Sequence, residues 1–328
     1  MRSAEMIELW RGGLCESRHS GHAVICDSRG VVEAWGKPST VIYPRSSCKM
    51  MQALPLVESG AADAAGLGER QLALACASHN GARMHVDGVA DWLATLDMGD
   101  ADLRCGGHMP RDPDENRRLI CSDEKPCQLH NNCSGKHAGF LTLNRHLSGG
   151  PEYVEQDHPV QKAVKAAFQE LTGETSPATG IDGCSAPNHA CTVEGLARAM
   201  ARFANPGDDA RGRGMRRLVD AMRAHPELVA GEGRACTELM RAMDGNVAVK
   251  TGAEGVFVAI LPRQGLGIAL KICDGASRAS EAAITAILLH LGLLSPDMPV
   301  VAKYLTGPLT NWRGIKTGEM RRSDGFPG

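Results

Sequence analysis

The sequence predicts an α+β fold: one antiparallel sheet assembled from the two ends of the chain, with a mostly helical lobe between them. Three observations predict it. Residues 7–36 read as short β-rich runs cut by polar turns, residues 58–244 carry apolar positions at helical spacing, and β-character returns from Lys250 onward. The expected organisation is a single compact two-lobed unit over 1–328. Its sheet lobe covers approximately 5–45 and 245–295, and its helical lobe approximately 46–244.

The elements follow in order. HAVICDSRGVVEAWG holds two β-rich runs around Asp27-Ser28-Arg29-Gly30, which predicts a hairpin. Pro44 closes an extended stretch, and a helix is expected from about Ser46, whose hydroxyl can cap free N–H groups. Pro55 should bend or shorten that helix, because it has no N–H to give. VQKAVKAAFQELTG and VEGLARAMARFA are helical patterns ended by Gly173 and by Asn205-Pro206. KTGAEGVFVAILPRQGLGIALKICDG reads as two strands joined at Pro262–Gly265, and SRASEAAITAILLHLGLL as an amphipathic helix capped near Ser277.

Composition narrows the function. The 328 residues are 43% hydrophobic and 23% charged, as in an ordinary globular protein with a substantial core. A net charge of −2 without a basic stripe argues against nucleic acid as a partner. The longest apolar run, AAITAILLHLGLL, is broken by His290 and falls short of a membrane span. MRSAEMIELW lacks the apolar core of a secretory signal, so the expected compartment is the cytoplasm. There the 12 cysteines should stay reduced, as buried small apolar residues or as metal ligands. Only 4% of residues are aromatic, which disfavours stacking platforms for bases or sugars.

The chemistry centres on RSSCKMMQALPLVESG, Arg45 to Gly60, where Ser46 and Lys49 stand as S-x-x-K. Three residues apart on a helix, they share a face. A serine hydroxyl attacks only when a base takes its proton, and a lysine serves if its pKa falls from about 10.4 toward neutrality. That fall of roughly 3 units corresponds to about 4 kcal/mol, available from burial or a neighbouring positive charge such as Arg45. Taken alone the motif more often describes a capped helix with an exposed lysine. Two further triplets, Ser78-His79-Asn80 in ACASHNG and Lys250-Thr251-Gly252 in VKTGAEG, complete the S-x-x-K, S-x-N and K-T-G set of penicillin-recognising serine enzymes. A second K-T-G, Lys316-Thr317-Gly318, competes; Lys250 is preferred for its strand context. Met50-Met51 reads as core packing.

NNCSGKHAGF (Asn131–Phe140) and GIDGCSAPNHA (Gly180–Ala190), together with PRSSCKMMQALPL and CASHNG, resemble the rhizobial-type L-asparaginase family, often called class 3. CGGHMP at Cys105 and CTELM at Cys236 look like stretches of the same family, and the resemblance runs from about Glu8 to Trp312. It implies a fold similar to serine β-lactamases and glutaminases, a homodimer, and two Ser–Lys pairs: Ser46 with Lys49, and Ser78 with Lys250. It also implies zinc bound by Cys133, Lys136 and Cys184, and places Arg45, His137, Asp182 and Cys236 on further site positions.

Read from the residues alone, the zinc ligands stay open. Two thiolates suit zinc, whereas lysine must first lose its proton, and Cys121, Cys127, His130 and His137 form a more usual set. His79 and Asn80 either orient the site or form a solvated turn. Asp182 either binds a substrate amino group or ties its own loop. The expected reaction is hydrolysis of L-asparagine to L-aspartate and ammonia through an acyl-enzyme, with Ser46 attacking first and Ser78 as the alternative nucleophile. Zinc would aid substrate placement. A glutaminase and a β-lactamase or peptidase are competing hydrolases, and a non-catalytic zinc or redox protein is the reading from another class.

Overall fold

The structure is a computed structural model describing residues 2–327. It divides into two compact units: 1–47, 191–205 and 238–328 form the first, and 48–190 with 206–237 the second.

The first unit is built on an eight-stranded sheet with path order 308–310, 316–322, 4–11, 14–27, 266–272, 256–261, 248–251, while 30–35 pairs with 14–27 off this path. The pairings are antiparallel, so both chain ends contribute to one sheet as expected. Asp27 pairs with Gly30 across the expected hairpin turn. The VFVAIL strand Val256–Leu261 is buried at every position, which requires cover on both faces. Helices Val193–Ala204 and Ser277–His290 both pack on it. On the neighbouring strand Leu266–Ile272, Gly267 lets helix Val193–Ala204 lie against the sheet: a Cβ there would lie 2.0 Å from the Ala201 backbone nitrogen.

Three features differ from the sequence reading. Helix Val193–Ala204, placed by its position among the residues of the helical lobe, packs on the sheet. Strands Pro308–Thr310 and Lys316–Arg322 extend the sheet beyond residue 295. They were hidden because PLT and KTGEMRR are polar edge strands without apolar alternation. Helix Lys49–Glu58 starts three residues late: Arg45–Cys48 is a 3-10 turn, Cys48 stands at the N-cap with no side-chain cap from Ser46 or any other residue, and the Ser47 hydroxyl donates to the Pro44 carbonyl at 2.7 Å.

The second unit wraps helices around Lys49–Glu58, whose residues 49–57 are all buried. Helices Ser134–Leu147, Pro159–Thr172 and Ala210–Ala224 pack against it. Pro55 sits in its last turn, and the helix ends three residues on, before Gly60 at φ +82°. Gly135 brings Ser134–Leu147 close to helix Glu69–Ala75, since a Cβ there would lie 2.4 Å from the Leu74 carbonyl oxygen. Among the described residues no helix is long and apolar enough to cross a membrane.

Gly267→Ala is expected to cost about 1–3 kcal/mol by overpacking the helix–strand contact. Thermal unfolding measures this, and an unchanged Tm would mean that the helix does not rest on this strand.

Candidate active site

In the second unit, Lys49 opens the central helix and is buried to 1% exposure. Its Nζ donates to the carbonyl oxygen of Ala77 and, at 3.4 Å, to that of Asn132. A buried amine without acceptors would be severely penalised, so these two bonds draw the Ser78 and Cys133 segments to the foot of the helix. The Ser78 amide donates to the Val229 carbonyl at 2.8 Å and the His79 amide to Asn132 at 3.2 Å, which fixes the CASHNG turn.

His79 has a defined protonation. Its Nδ1 accepts from the Gly81 amide at 3.2 Å, so Nε2 carries the proton and donates to Ser134 Oγ at 3.0 Å; Ser134 in turn donates to the Leu129 carbonyl. Burial, then the stacked His85 ring with centroids 4.7 Å apart, hold His79 well below the usual histidine range. Burial likewise lowers His85. The Asn80 carbonyl accepts from Arg111 and Asp112 amides, and its side chain bonds Ala82 and Asp112. Both residues therefore brace a buried turn; the solvated-turn reading is corrected, since His79 is 0% and Asn80 5% exposed.

Cys133 precedes helix Ser134–Leu147, and Lys136 lies in its first turn. Lys136 Nζ donates to Cys184 Sγ at 3.0 Å and stands over the Phe140 ring at 5.4 Å. The hydrogen bond from Cys133 holds the Cys184 thiol well below its ordinary range against the opposing effect of burial, with Lys136 adding attraction. Cys133, whose proton that bond retains, is pushed up to about 12. Burial disfavours charge on Lys136, but the neighbouring thiol groups outweigh it and raise its pKa. The cluster is thus a buried lysine amine bonded to one thiol, with a second thiol beside it. Two sulfurs and one amine, buried together, fit zinc chemically: the metal's charge would replace the Lys136 proton and the Cys133 proton.

The competing ligand set does not assemble. Cys121 is exposed, and His137 Nδ1 accepts from the Tyr153 hydroxyl at 2.9 Å. His130 lies between Cys127 Sγ, 3.3 Å from Nδ1, and Glu115, 3.2 Å from Nε2. Among the described residues no three His, Cys, Asp or Glu side chains converge on a metal position. Asp182 closes its own loop, its backbone bonding Ala186 and its carboxylate accepting from the Gly183 amide at 2.8 Å. Cys236 is buried beside Thr237, whose hydroxyl donates to the Pro226 and Gly231 carbonyls. Gly231 presses on Asn80, with room for no Cβ.

In the first unit, Arg45 adopts φ +53°, a strained position for a side-chain-bearing residue, directly before half-buried Ser46. Its guanidinium lies 3.9 Å from Glu254. Lys250, 1% exposed, is on strand Ala248–Thr251 with Nζ donating to the Thr251 carbonyl at 2.9 Å. Gly252 then passes the Pro44–Ser47 turn so closely that a Cβ would lie 2.6 Å from the Pro44 oxygen. This close approach is why the triplet ends in glycine. Lys316 also lies on a strand, so strand context does not separate the two triplets; burial does, because Lys316 is exposed. Sequence reasoning missed Asn132, Ser134 and Tyr153, which act through backbone or hydroxyl contacts and leave no spacing signal.

The family model described as L-asparaginase II matches residues 7–322. No curated protein matches the chain. A solved structure of Mglu in its glutamate form is similar in fold, at TM-score 0.50 and 16% identity, over 85% of this chain and 62% of that one. A β-lactamase from Mycobacterium bovis aligns at TM-score 0.47 and 14% identity, over 84% of this chain and 95% of that one.

Neutral His79 and His85 give a defined pH response. Their folded pKa values lie below the unfolded value of about 6.5, so they leave stability unchanged above that pH and lower it below, as the unfolded chain takes up protons. Each contributes a slope of up to about 1.4 kcal/mol per pH unit just below pH 6.5. Denaturant unfolding over a pH series should show His85→Phe to be shallower there than the parent; equal slopes would contradict the assignment.

Proposed function

The chain belongs to the L-asparaginase II family and is an amidohydrolase of that type, and from this premise we propose that it hydrolyses L-asparagine to L-aspartate and ammonia through an acyl-enzyme on Ser46. The observation that carries the choice of nucleophile is local. Ser46 is half-buried in the turn that runs straight into buried Lys49, while the neighbouring Ser47 hydroxyl is committed to the Pro44 carbonyl. An i, i+3 spacing is one that brings two side chains onto the same face of a helical turn, which supports pairing Ser46 with Lys49.

In this reading Lys49 accepts the Ser46 proton as the oxygen attacks the side-chain amide carbon. The tetrahedral oxyanion is held by backbone N–H groups at the start of the helix. Ser78 and Lys250 are assigned the return of a proton to the departing nitrogen, so that ammonia leaves and an aspartyl ester remains. Water then attacks the ester with the same groups reversed, releasing aspartate and restoring the Ser46 hydroxyl. Arg45 is assigned to stabilising charge beside the nucleophile. Cys133, Lys136 and Cys184 are assigned to hold zinc, and their convergence within hydrogen-bond reach supports that assignment. Bound there, zinc supplies a fixed positive charge for orienting polar groups of the substrate. The proposal further takes the enzyme to be a cytoplasmic homodimer with a small amide as its partner.

Ser46→Ala should lower ammonia release from L-asparagine by about 10³-fold or more while the Tm stays put. Retained turnover would remove Ser46 from the mechanism. Release from L-glutamine alone, in a parallel assay, would turn the assignment to a glutaminase.

A further inference from the structure

Asn188 is buried to 3% exposure, yet neither Oδ1 nor Nδ2 has a hydrogen-bond partner. Two other buried amides, Asn144 and Gln161, each leave only one atom unpaired. Asn144 donates to the Gly150 carbonyl, and Gln161 to that of Tyr153. A carboxamide stripped of water on both sides is expensive, so the position calls for a ligand that both donates and accepts.

The local fold places it. Asn188 lies in the short hairpin of strands Thr179–Ile181 and Pro187–His189, whose connection carries Asp182 and Cys184. On one face Thr179 Oγ1 and His189 Nδ1 satisfy each other at 2.9 Å. On the other, Asn188 is opposite Gly180, which offers no side chain to cover it. The strand runs from Gly180 through Ile181 directly into Asp182, whose amide donates to the Ala186 carbonyl at 2.9 Å just before the partner strand.

We infer that Asn188 binds the α-amino-acid head of the substrate, Nδ2 donating to the α-carboxylate and Oδ1 accepting from the α-ammonium beside the Asp182 carboxylate. This deepens the asparaginase reading and rests on it for the identity of the substrate. A zwitterionic head supplies one acceptor and one donor on adjacent atoms, which is what the unpaired carboxamide lacks. The site is thereby specific for amides that carry an α-amino acid, and Asn188 is a binding residue that holds ligand without moving protons.

The test combines stability, binding and kinetics. Asn188→Leu, of similar volume and without polar atoms, should unfold at the same temperature or higher, and should raise the KM for L-asparagine about 10–100-fold with little change in kcat. Turnover of propionamide, which lacks both the α-amino and the α-carboxylate group, should change by less than about 3-fold. L-Aspartate should raise the Tm of the parent protein but not that of Asn188→Ala, and propionate, which has neither head group, should raise neither. A lower Tm with unchanged KM would make Asn188 a structural residue and overturn the inference, as would an L-aspartate shift that survives in Asn188→Ala. A parent protein that binds L-aspartate through Asn188 yet releases no ammonia would leave this inference standing and sink the proposed reaction instead.

Discussion

Burial of the Lys49 amine is the constraint from which the second unit takes its form. A side chain 1% exposed must find acceptors inside the protein, and it finds the carbonyl oxygens of Ala77 and Asn132. Two distant stretches of chain are therefore anchored at the start of one helix, with Ser78 directly after Ala77 and Cys133 directly after Asn132. Glycine makes the anchoring sterically possible. Gly135 lets the following helix lie on the Leu74 carbonyl, and Gly139 lets it approach Leu56.

Around that anchor, charge is balanced within the buried cluster. Lys136 donates to Cys184, whose thiol is held below its ordinary range, while that of Cys133 beside it is pushed up to about 12. His79 and His137, both held neutral by burial, add no further positive charge. Each has one ring nitrogen committed as an acceptor, from the Gly81 amide and the Tyr153 hydroxyl. The result is a region with two buried lysines, two thiols and rigid neutral rings, a setting in which small changes of protonation have large electrostatic consequences.

Much of this was legible in the sequence. The α+β arrangement followed from where period-two and helical patterns fall, and Gly173 and Asn205 ended their helices where glycine and asparagine-proline should. The motifs RSSCK, CASHNG and CSGK named the segments that gather at Lys49. Other features were illegible for physical reasons. A polar edge strand such as KTGEMRR carries no apolar alternation, and helix Val193–Ala204 shows an apolar stripe without revealing whether a sheet or a helix covers it. The role of Gly252 depends on how near Pro44 passes, a distance that no spacing encodes. Ser47 also competes with Ser46 on paper, until its hydroxyl is seen bonded to Pro44.

The account turns on Ser46 as the atom that becomes acylated. Incubation with a diazo-ketone analogue of asparagine, followed by peptide mass spectrometry, locates the attacking group directly. The account predicts one covalent adduct, on Ser46 of the tryptic peptide 46–49, formed much more slowly in a Lys49→Met variant. An adduct on Ser78 or on a cysteine in the unaltered protein would contradict it.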